Sequence, residues 1–130
     1  SESIEKQLEL LREMIWQVDP HFYDYLSLNH DSLQLYFCYR WLLLWFKREF
    51  VYSQVMAVWE VILSCKRGER QRFVLCIALA MLDLAKQQLM TSCTRFDEIL
   101  AYLNEQSGKW DVEMVLERAS AFEAYFEARE

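Results

Sequence analysis

The sequence predicts an all-α fold, an irregular multi-helix array of about seven helices, from three observations. Apolar residues recur at intervals of three and four along most of the 130 residues, which is the spacing of one face of a helix. Two glycines and one proline leave little room for long loops. No segment shows the alternation of apolar and polar residues that is typical of a strand. With 54% hydrophobic residues, the chain can bury a core as one unit.

The first two helices are predicted from an apolar stripe and from a cap. Residues 2–17 form an amphipathic helix, because their apolar side chains follow one another at helical spacing. Asp19 caps a second helix, which reaches about Leu28, and Pro20 lies in its first turn, where the missing N–H costs nothing.

The segment 36–50 is apolar on every side apart from Arg40 and the charged residues 47–49. We expect one central, buried helix here, because its large side chains leave no polar face. It is too short and too often interrupted by charge to span a bilayer, which takes about 20 apolar residues. The large apolar side chains that leave no polar face for water are those of Leu33, Tyr36, Phe37, Trp41, Leu44 and Trp45.

The remaining helices follow from periodicity and capping signals. Ser53 is predicted to cap a helix that stops near residue 66, and a long, largely buried helix covers 70–90. Thr94 and Asp97 form a capping-box pattern that opens a short helix. Asp111 caps the last helix.

Four strings in this helical pattern carry a family resemblance. Phe-Cys-Tyr-Arg-Trp-Leu-Leu-Leu at 37–44 is followed by Phe-Lys-Arg-Glu-Phe at 46–50 and by Val-Trp-Glu at 58–60. With Asp-Pro-His-Phe-Tyr-Asp-Tyr-Leu at 19–26, they closely resemble the second half of the TBC domain, the helical GTPase-activating module that acts on Rab GTPases. The resemblance covers positions 7 to about 64 and continues more loosely to about 120.

The resemblance implies that residues 1–130 are the carboxy-terminal lobe of a TBC domain, whose catalytic-motif half lies upstream. It implies a Rab-family small GTPase and that upstream half as partners. Two elements come first after the upstream half, the first helix and the segment around Trp41 and Trp45. We therefore expect their apolar surfaces to be the ones that this chain leaves uncovered when the upstream half is absent. The structural family motif comprises Arg40, Trp41, Arg48, Glu49, Phe50, Trp59 and Glu60.

The catalytic groups of this family are an arginine, which neutralises charge on the transferring phosphoryl group, and a glutamine, which orients water. They lie in Ile-x-x-Asp-x-x-Arg and Tyr-x-Gln motifs before the Arg-Trp segment. The first motif is absent from this sequence, and the second occurs once by letters, at Tyr52-Ser53-Gln54. That match follows the Arg-Glu-Phe string and lacks the Gly-Met that usually comes next. We interpret Gln54 as a polar residue in the first turn of a helix and predict no catalytic, cofactor-binding or metal-binding residue.

Arg40 needs a partner if it lies inside an apolar helix, because an unpaired buried charge costs several kcal/mol. Glu60 is the first candidate for that partner and Glu49 the second. The alternative is that Arg40 serves as a second arginine finger. Arg48 and Glu49 are interpreted as charges at a helix end.

Composition excludes other classes of protein. The net charge of −6 and the lack of a visible basic stripe argue against a nucleic-acid partner. Cys38, Cys65, Cys76 and Cys93 form no CxxC pair and are interpreted as buried, reduced thiols, with disulfides as the alternative. Residues 1–7 do not resemble a signal peptide, so we expect a cytoplasmic chain. The resemblance adds peripheral association with vesicle or organelle membranes.

Two functions are therefore open. The first is part of a GTPase-activating protein that stimulates GTP hydrolysis by a Rab in vesicle trafficking, with this chain lacking both catalytic fingers and inactive alone. The second is a non-catalytic, TBC-like helical scaffold or adaptor that binds a protein partner. The sequence upstream of residue 1 distinguishes them, because only the first function requires both finger motifs there.

Overall fold

A computed structural model describes residues 3–130, which fold as eight α-helices and two short 3-10 helices with no strand among them. The predicted all-α class is confirmed, with one helix more than expected. Residue 2, predicted to start the first helix, lies outside the described residues. The α-helices are α1 (Ile4–Val18), α2 (Pro20–Ser27), α3 (His30–Leu33), α4 (Tyr39–Leu43), α5 (Tyr52–Ser64), α6 (Arg70–Ser92), α7 (Phe96–Glu105) and α8 (Val112–Glu127); the 3-10 helices span Tyr36–Cys38 and Arg67–Glu69.

Helix α6 forms the centre of the core. Its residues from Phe73 to Leu82 are buried without interruption, because α1, α4, α5, α7 and α8 all pack against it. Within residues 3–130, only the stretch Arg67–Ser92 is long and apolar enough to cross a membrane, and 67% of its apolar window is buried inside the protein. Neighbouring helices therefore account for most of its apolar surface.

The segment 36–50 is not one buried helix, so that prediction is wrong. Leu35 has a φ of 61°, which ends α3, and Trp45 and Phe46 have φ values of 46° and 65°, which end α4. The left-handed conformation costs a residue with a side chain about 1 to 2 kcal/mol. Burial of Leu35 and Phe46 offsets that cost. The segment lacks a polar face because its turns direct side chains toward several neighbours.

The segment around Trp41 and Trp45 is also less open than expected. Trp41 is buried and Trp45 is half-buried, whereas Tyr36 and Leu43 in the same segment are exposed. In α1, the side chain of Trp16 is 60% exposed, so this helix does keep an open apolar position.

The predicted caps of α2 and α8 are confirmed. The Asp19 carboxylate accepts a hydrogen bond from the backbone N–H of Phe22 at 3.0 Å, and Pro20 is the first residue of α2. Asp111 accepts one from the backbone N–H of Met114 at 3.1 Å. Each satisfies an N–H that the helix itself leaves without a partner.

The predicted caps of α5 and α7 are wrong in detail. Helix α5 starts at Tyr52, one residue before Ser53, and has no side-chain cap. At α7, Glu98 rather than Asp97 accepts from the backbone N–H groups of Thr94 and Arg95, at 2.9 and 3.1 Å. Since α7 begins at Phe96, Glu98 is its third residue, which is where a capping-box carboxylate reaches back.

All four cysteines are free, as predicted. Cys38, Cys76 and Cys93 are buried, and Cys65 is half-buried. Burial is the main cause that raises the pKa of each thiol, to about 12 for Cys76. These thiols remain protonated at neutral pH and are poor nucleophiles.

Asp19 also joins α2 to α6 through an ion pair with Lys86, whose Nζ lies 2.6 Å from Oδ2. Burial alone would raise the pKa of Asp19, but the hydrogen bonds from Lys86 and Phe22 outweigh burial and hold it below 3.8. Because the folded-state pKa is depressed, this contribution to stability exists above the unfolded-state pKa and is lost as the pH falls through the folded value.

We therefore expect Asp19→Asn to lower the free energy of unfolding by about 0.5 to 1 kcal/mol at pH 7. The asparagine still caps α2 but no longer pairs with Lys86. The deficit should vanish in acid, where wild-type Asp19 is protonated too. Urea unfolding at both pH values measures it, with the exposed Asp24→Asn on the same helix as control. A deficit that persists in acid would mean that the cap, not the ion pair, is lost.

Candidate functional site

After α4, the left-handed residues Trp45 and Phe46 turn the chain back on itself, and we call residues 44–50 the reversal. The candidate site is the place where this reversal meets the connection between α7 and α8. Backbone contacts hold the two together. The N–H of Gly108 donates to the carbonyl of Glu49 at 2.8 Å, and the Ser107 hydroxyl donates to the carbonyl of Arg48. Gly108 has a φ of 81°, which a residue with a side chain would adopt only with strain.

Arg40 connects three elements at this place. Its Nε and Nη2 donate to Oε2 of Glu49 at 3.2 and 3.0 Å, and Nη2 also donates to Oδ1 of Asn104 at 3.2 Å. The guanidinium thus joins α4, the reversal and α7. We call the pair of Arg40 and Glu49, with Asn104, the clamp.

The expected pairing of Arg40 with Glu60 is wrong, because the partner is Glu49, the second candidate. The left-handed residues Trp45 and Phe46 fold the chain back, so that Glu49 returns to α4. Glu60 lies on an exposed position of α5 and has no ion pair within residues 3–130. Glu49 is thus a buried partner rather than a helix-end surface charge.

The buried charge of the clamp is the carboxylate and not the guanidinium. The Glu49 side chain is 0% exposed, whereas that of Arg40 is 40% exposed. Both Arg40 donors reach the same oxygen, and buried Oε1 has no partner in the described part of the chain. Burial and, secondarily, the charge of Glu49 raise the pKa of Cys38. The carboxylate therefore depends on Arg40 for compensation.

Aromatic side chains support the clamp from the core. Trp41 is buried and meets Trp110 edge to face, with ring centroids 6.0 Å apart and an angle of 86°. Trp59 Nε1 donates to the carbonyl of Trp45 at 2.7 Å, which fixes the reversal against α5. Phe50 is buried at the exit from the reversal.

Five of the seven predicted motif residues thus fall into two groups. Trp41, Phe50 and Trp59 support the reversal, and Arg40 with Glu49 forms the clamp. Arg48 takes part through its backbone carbonyl alone, and Glu60 lies apart on the surface of α5. The predicted structural motif consists of Arg40, Trp41, Arg48, Glu49, Phe50, Trp59 and Glu60.

The clamp is suited to holding elements together. The guanidinium of Arg40 is already bonded through Nε and Nη2. Gln54 lies half-buried in the first turn of α5, and Tyr52 is 81% exposed. Within residues 3–130, no group of three or more His, Cys, Asp or Glu side chains could hold a metal ion.

Sequence reasoning missed Asn104, Ser107 and Trp110, which complete the site from the α7–α8 connection. The Ser107-Gly108 pair was a visible signal, but it indicates only that a helix ends there. Nothing in the local pattern indicates that this connection lies against a reversal some 60 positions earlier.

Comparison with known proteins identifies the family. The Rab-GTPase-TBC domain family matches residues 1–90. TBC1 domain family member 17 from Homo sapiens is 40% identical over 120 residues, which cover 92% of this chain and 18% of that protein. Small G protein signaling modulator 2 from Mus musculus is 37% identical over 106 residues, covering 82% of this chain and 10% of that protein.

A fungal relative is similar to this chain at comparable identity and coverage. GTPase-activating protein GYP7 from Saccharomyces cerevisiae is 34% identical over 124 residues, which cover 95% of this chain and 16% of that protein. The chain therefore spans between a tenth and a fifth of the length of these relatives. The family match covers more than half of the 130 residues and includes α1 to α5, the reversal and Arg40. The chain belongs to the Rab-GTPase-TBC domain family.

Proposed function

We propose that this chain is the carboxy-terminal lobe of a TBC domain and that the complete domain stimulates GTP hydrolysis by a Rab-family GTPase in vesicle trafficking. The observation that supports this most is the family match over residues 1–90. A relative named as a GTPase-activating protein, matched over 95% of this chain, agrees with it. The specific Rab is set by surface side chains that no motif marks.

In this proposal the catalytic groups come from the upstream half of the domain. The sequence has no Ile-x-x-Asp-x-x-Arg string, and Gln54 lies in α5, after Arg40 and Glu49. The role of the lobe is to support the upstream half and to complete the surface that meets the GTPase. The clamp keeps α4 and α7 in fixed relation for this purpose.

A non-catalytic, TBC-like scaffold is the second candidate. The engagement of Arg40 by Glu49 and Asn104 agrees with it, because that arginine is used within the fold, as it is under the first proposal. Upstream sequence without the finger motifs would make this the better proposal. Under either proposal we expect the protein in the cytoplasm, with peripheral association at membranes.

The outer face of α1 is the surface we assign to the upstream half. A groove of about 620 Å³ runs along it, lined by Glu9, Arg12, Glu13, Trp16, Gln17 and Tyr23. Trp16 is the exposed apolar residue of this groove. A tryptophan in such a position is typical of the few side chains that dominate an interface.

The chain and a separately produced upstream half should combine into a one-to-one complex. We expect Trp16→Ser to weaken it by about thirtyfold, the effect of losing a strong interface residue. Size-exclusion chromatography with light scattering gives the mass of the complex, and titration calorimetry gives its affinity. The control is Leu28→Ser at an exposed position after α2. Absence of a complex with wild-type chain would contradict the assignment of this chain as a lobe.

A further inference from the structure

Helix α5 presents an apolar stripe to solvent on its flank, about 100° around the helix from its buried face. Val55, Val58 and Ile62 face inward and are buried. Tyr52, Met56 and Leu63 are 81%, 44% and 53% exposed. At 3.6 residues per turn these three positions fall within about 40° of one another around the helix. Val51, just before the helix, adds a further exposed apolar side chain.

Exposed cations flank α5 in the sequence at both of its ends. Lys47 and Arg48 precede α5, and Lys66 and Arg67 follow it. None of the four has an ion pair in the described part of the chain. Five other cations pair with carboxylates: Arg40, Arg72, Lys86, Arg95 and Arg118. The charges around α5 are thus free to meet a partner.

The charge of this region has the opposite sign to that of the whole chain. Residues 40–72 contain seven Lys or Arg and three Asp or Glu, a net charge of +4. Since the whole chain has −6, the other residues together have −10. The net charge of the whole chain hides this basic region, which includes α5 and its three exposed apolar side chains.

We propose that this face of α5 rests on the surface of an anionic lipid bilayer. An exposed apolar stripe with flanking Lys and Arg is the pattern of a helix that lies in the membrane interface. The apolar side chains enter the headgroup region and the cations meet lipid phosphates or carboxylates. A nucleic acid would use the cations but leave the stripe without a partner. The proposal does not depend on GTPase activation.

Glu60 is the residue that opposes this contact. It is exposed and lies about 40° around the helix from Met56, at the edge of the stripe. Its carboxylate would be repelled by an anionic surface. This gives the proposal a substitution that should strengthen binding, which simple loss of structure cannot imitate.

Co-sedimentation with lipid vesicles tests the proposal with the chain as it is. We expect the chain to bind vesicles of equimolar phosphatidylcholine and phosphatidylserine and not vesicles of phosphatidylcholine alone. Binding should weaken as salt is added, because salt screens the attraction. Soluble phosphoserine should compete poorly, since it offers no apolar layer for Tyr52 and Leu63.

Each unit of charge near an anionic surface changes partitioning about fivefold. Lys66→Glu, which changes two units, should therefore weaken binding about 25-fold, and Glu60→Lys should strengthen it by a similar factor. Leu63→Ser should weaken binding as well, because it shortens the stripe. Lys6→Glu and Leu28→Ser, at exposed positions outside α5, are the matched controls and should bind like the wild type.

Three outcomes would overturn the proposal. The first is no binding of the wild-type chain to the phosphatidylserine vesicles. The second is equal weakening by Lys66→Glu and Lys6→Glu, which would indicate a response to net charge alone. The third is loss of vesicle binding when the upstream half is added, which would assign the stripe to that half. Circular dichroism of each variant shows whether the fold is retained.

Discussion

The chain by itself is expected to leave the rate of GTP hydrolysis by a Rab unchanged. In GTPase activation, an arginine that stabilises the transferring phosphoryl group contributes about 10³ to 10⁵ in rate. The sequence lacks the motif that carries this arginine, and Arg40 is engaged by Glu49 and Asn104. A Rab mixed with the chain should therefore hydrolyse GTP at its intrinsic rate.

Phosphate release from a panel of Rab GTPases measures this. Gln54→Ala should have no effect on the rate with the chain alone or with the upstream half present, because Gln54 lies in the first turn of α5. Stimulation by the isolated chain that disappears on Gln54→Ala would assign a catalytic role to Tyr52-Ser53-Gln54. Arg48→Ala serves as a control for general surface effects.

Arg40→Met should destabilise the fold far more than Glu49→Gln. Removal of Arg40 leaves a fully buried carboxylate without compensation, which costs about 3 to 5 kcal/mol. Removal of the Glu49 charge leaves an arginine that is 40% exposed and can be hydrated, and glutamine can still accept from it. We expect that change to cost about 1 kcal/mol.

A double-mutant cycle by urea unfolding tests this asymmetry. Arg40→Met combined with Glu49→Gln should be more stable than Arg40→Met alone, because the stranded charge is gone. The same cycle with Glu60→Gln should show no coupling, since Glu60 lies apart from Arg40. Equal costs for the two single substitutions, with no coupling between them, would contradict a clamp built around a buried carboxylate.

Much of the fold could be predicted because local and tertiary preferences agree. Asp19 and Asp111 cap helices where their side chains can reach a free N–H, and α6, which is apolar on all sides from Phe73 to Leu82, is central. The segment 36–50 could not be predicted in the same way. Its reversals occur at Leu35, Trp45 and Phe46, bulky residues that avoid positive φ unless burial outweighs the strain.

The predicted partner of Arg40 in the candidate site was wrong for the same reason. With a continuous helix, Glu60 on the next helix is the natural partner for Arg40, but the reversal at Trp45 and Phe46 brings Glu49 back instead. The contribution of Asn104 depends on packing between elements far apart in sequence. A motif can show that Arg40 and Glu49 belong to one family pattern, but their distance follows from the tertiary fold.

The basic region around α5 was missed for a different reason. The net charge of the whole chain is dominated by the 17 acidic residues outside positions 40–72, and a search for a continuous basic stripe finds none. The four free cations are separated in sequence by the length of α5. Their relation to the apolar stripe appears only once burial identifies which faces of the helix are exposed.

The most direct test of the proposed function is phosphate release from a Rab panel with the chain and the upstream half mixed. For at least one Rab, we expect stimulation by about 10³ to 10⁵ with the mixture and none with the chain alone. Substitution of the arginine in the upstream motif should abolish this stimulation. A mixture that forms a stable one-to-one complex but stimulates no Rab would contradict the GTPase-activating function and favour a non-catalytic scaffold.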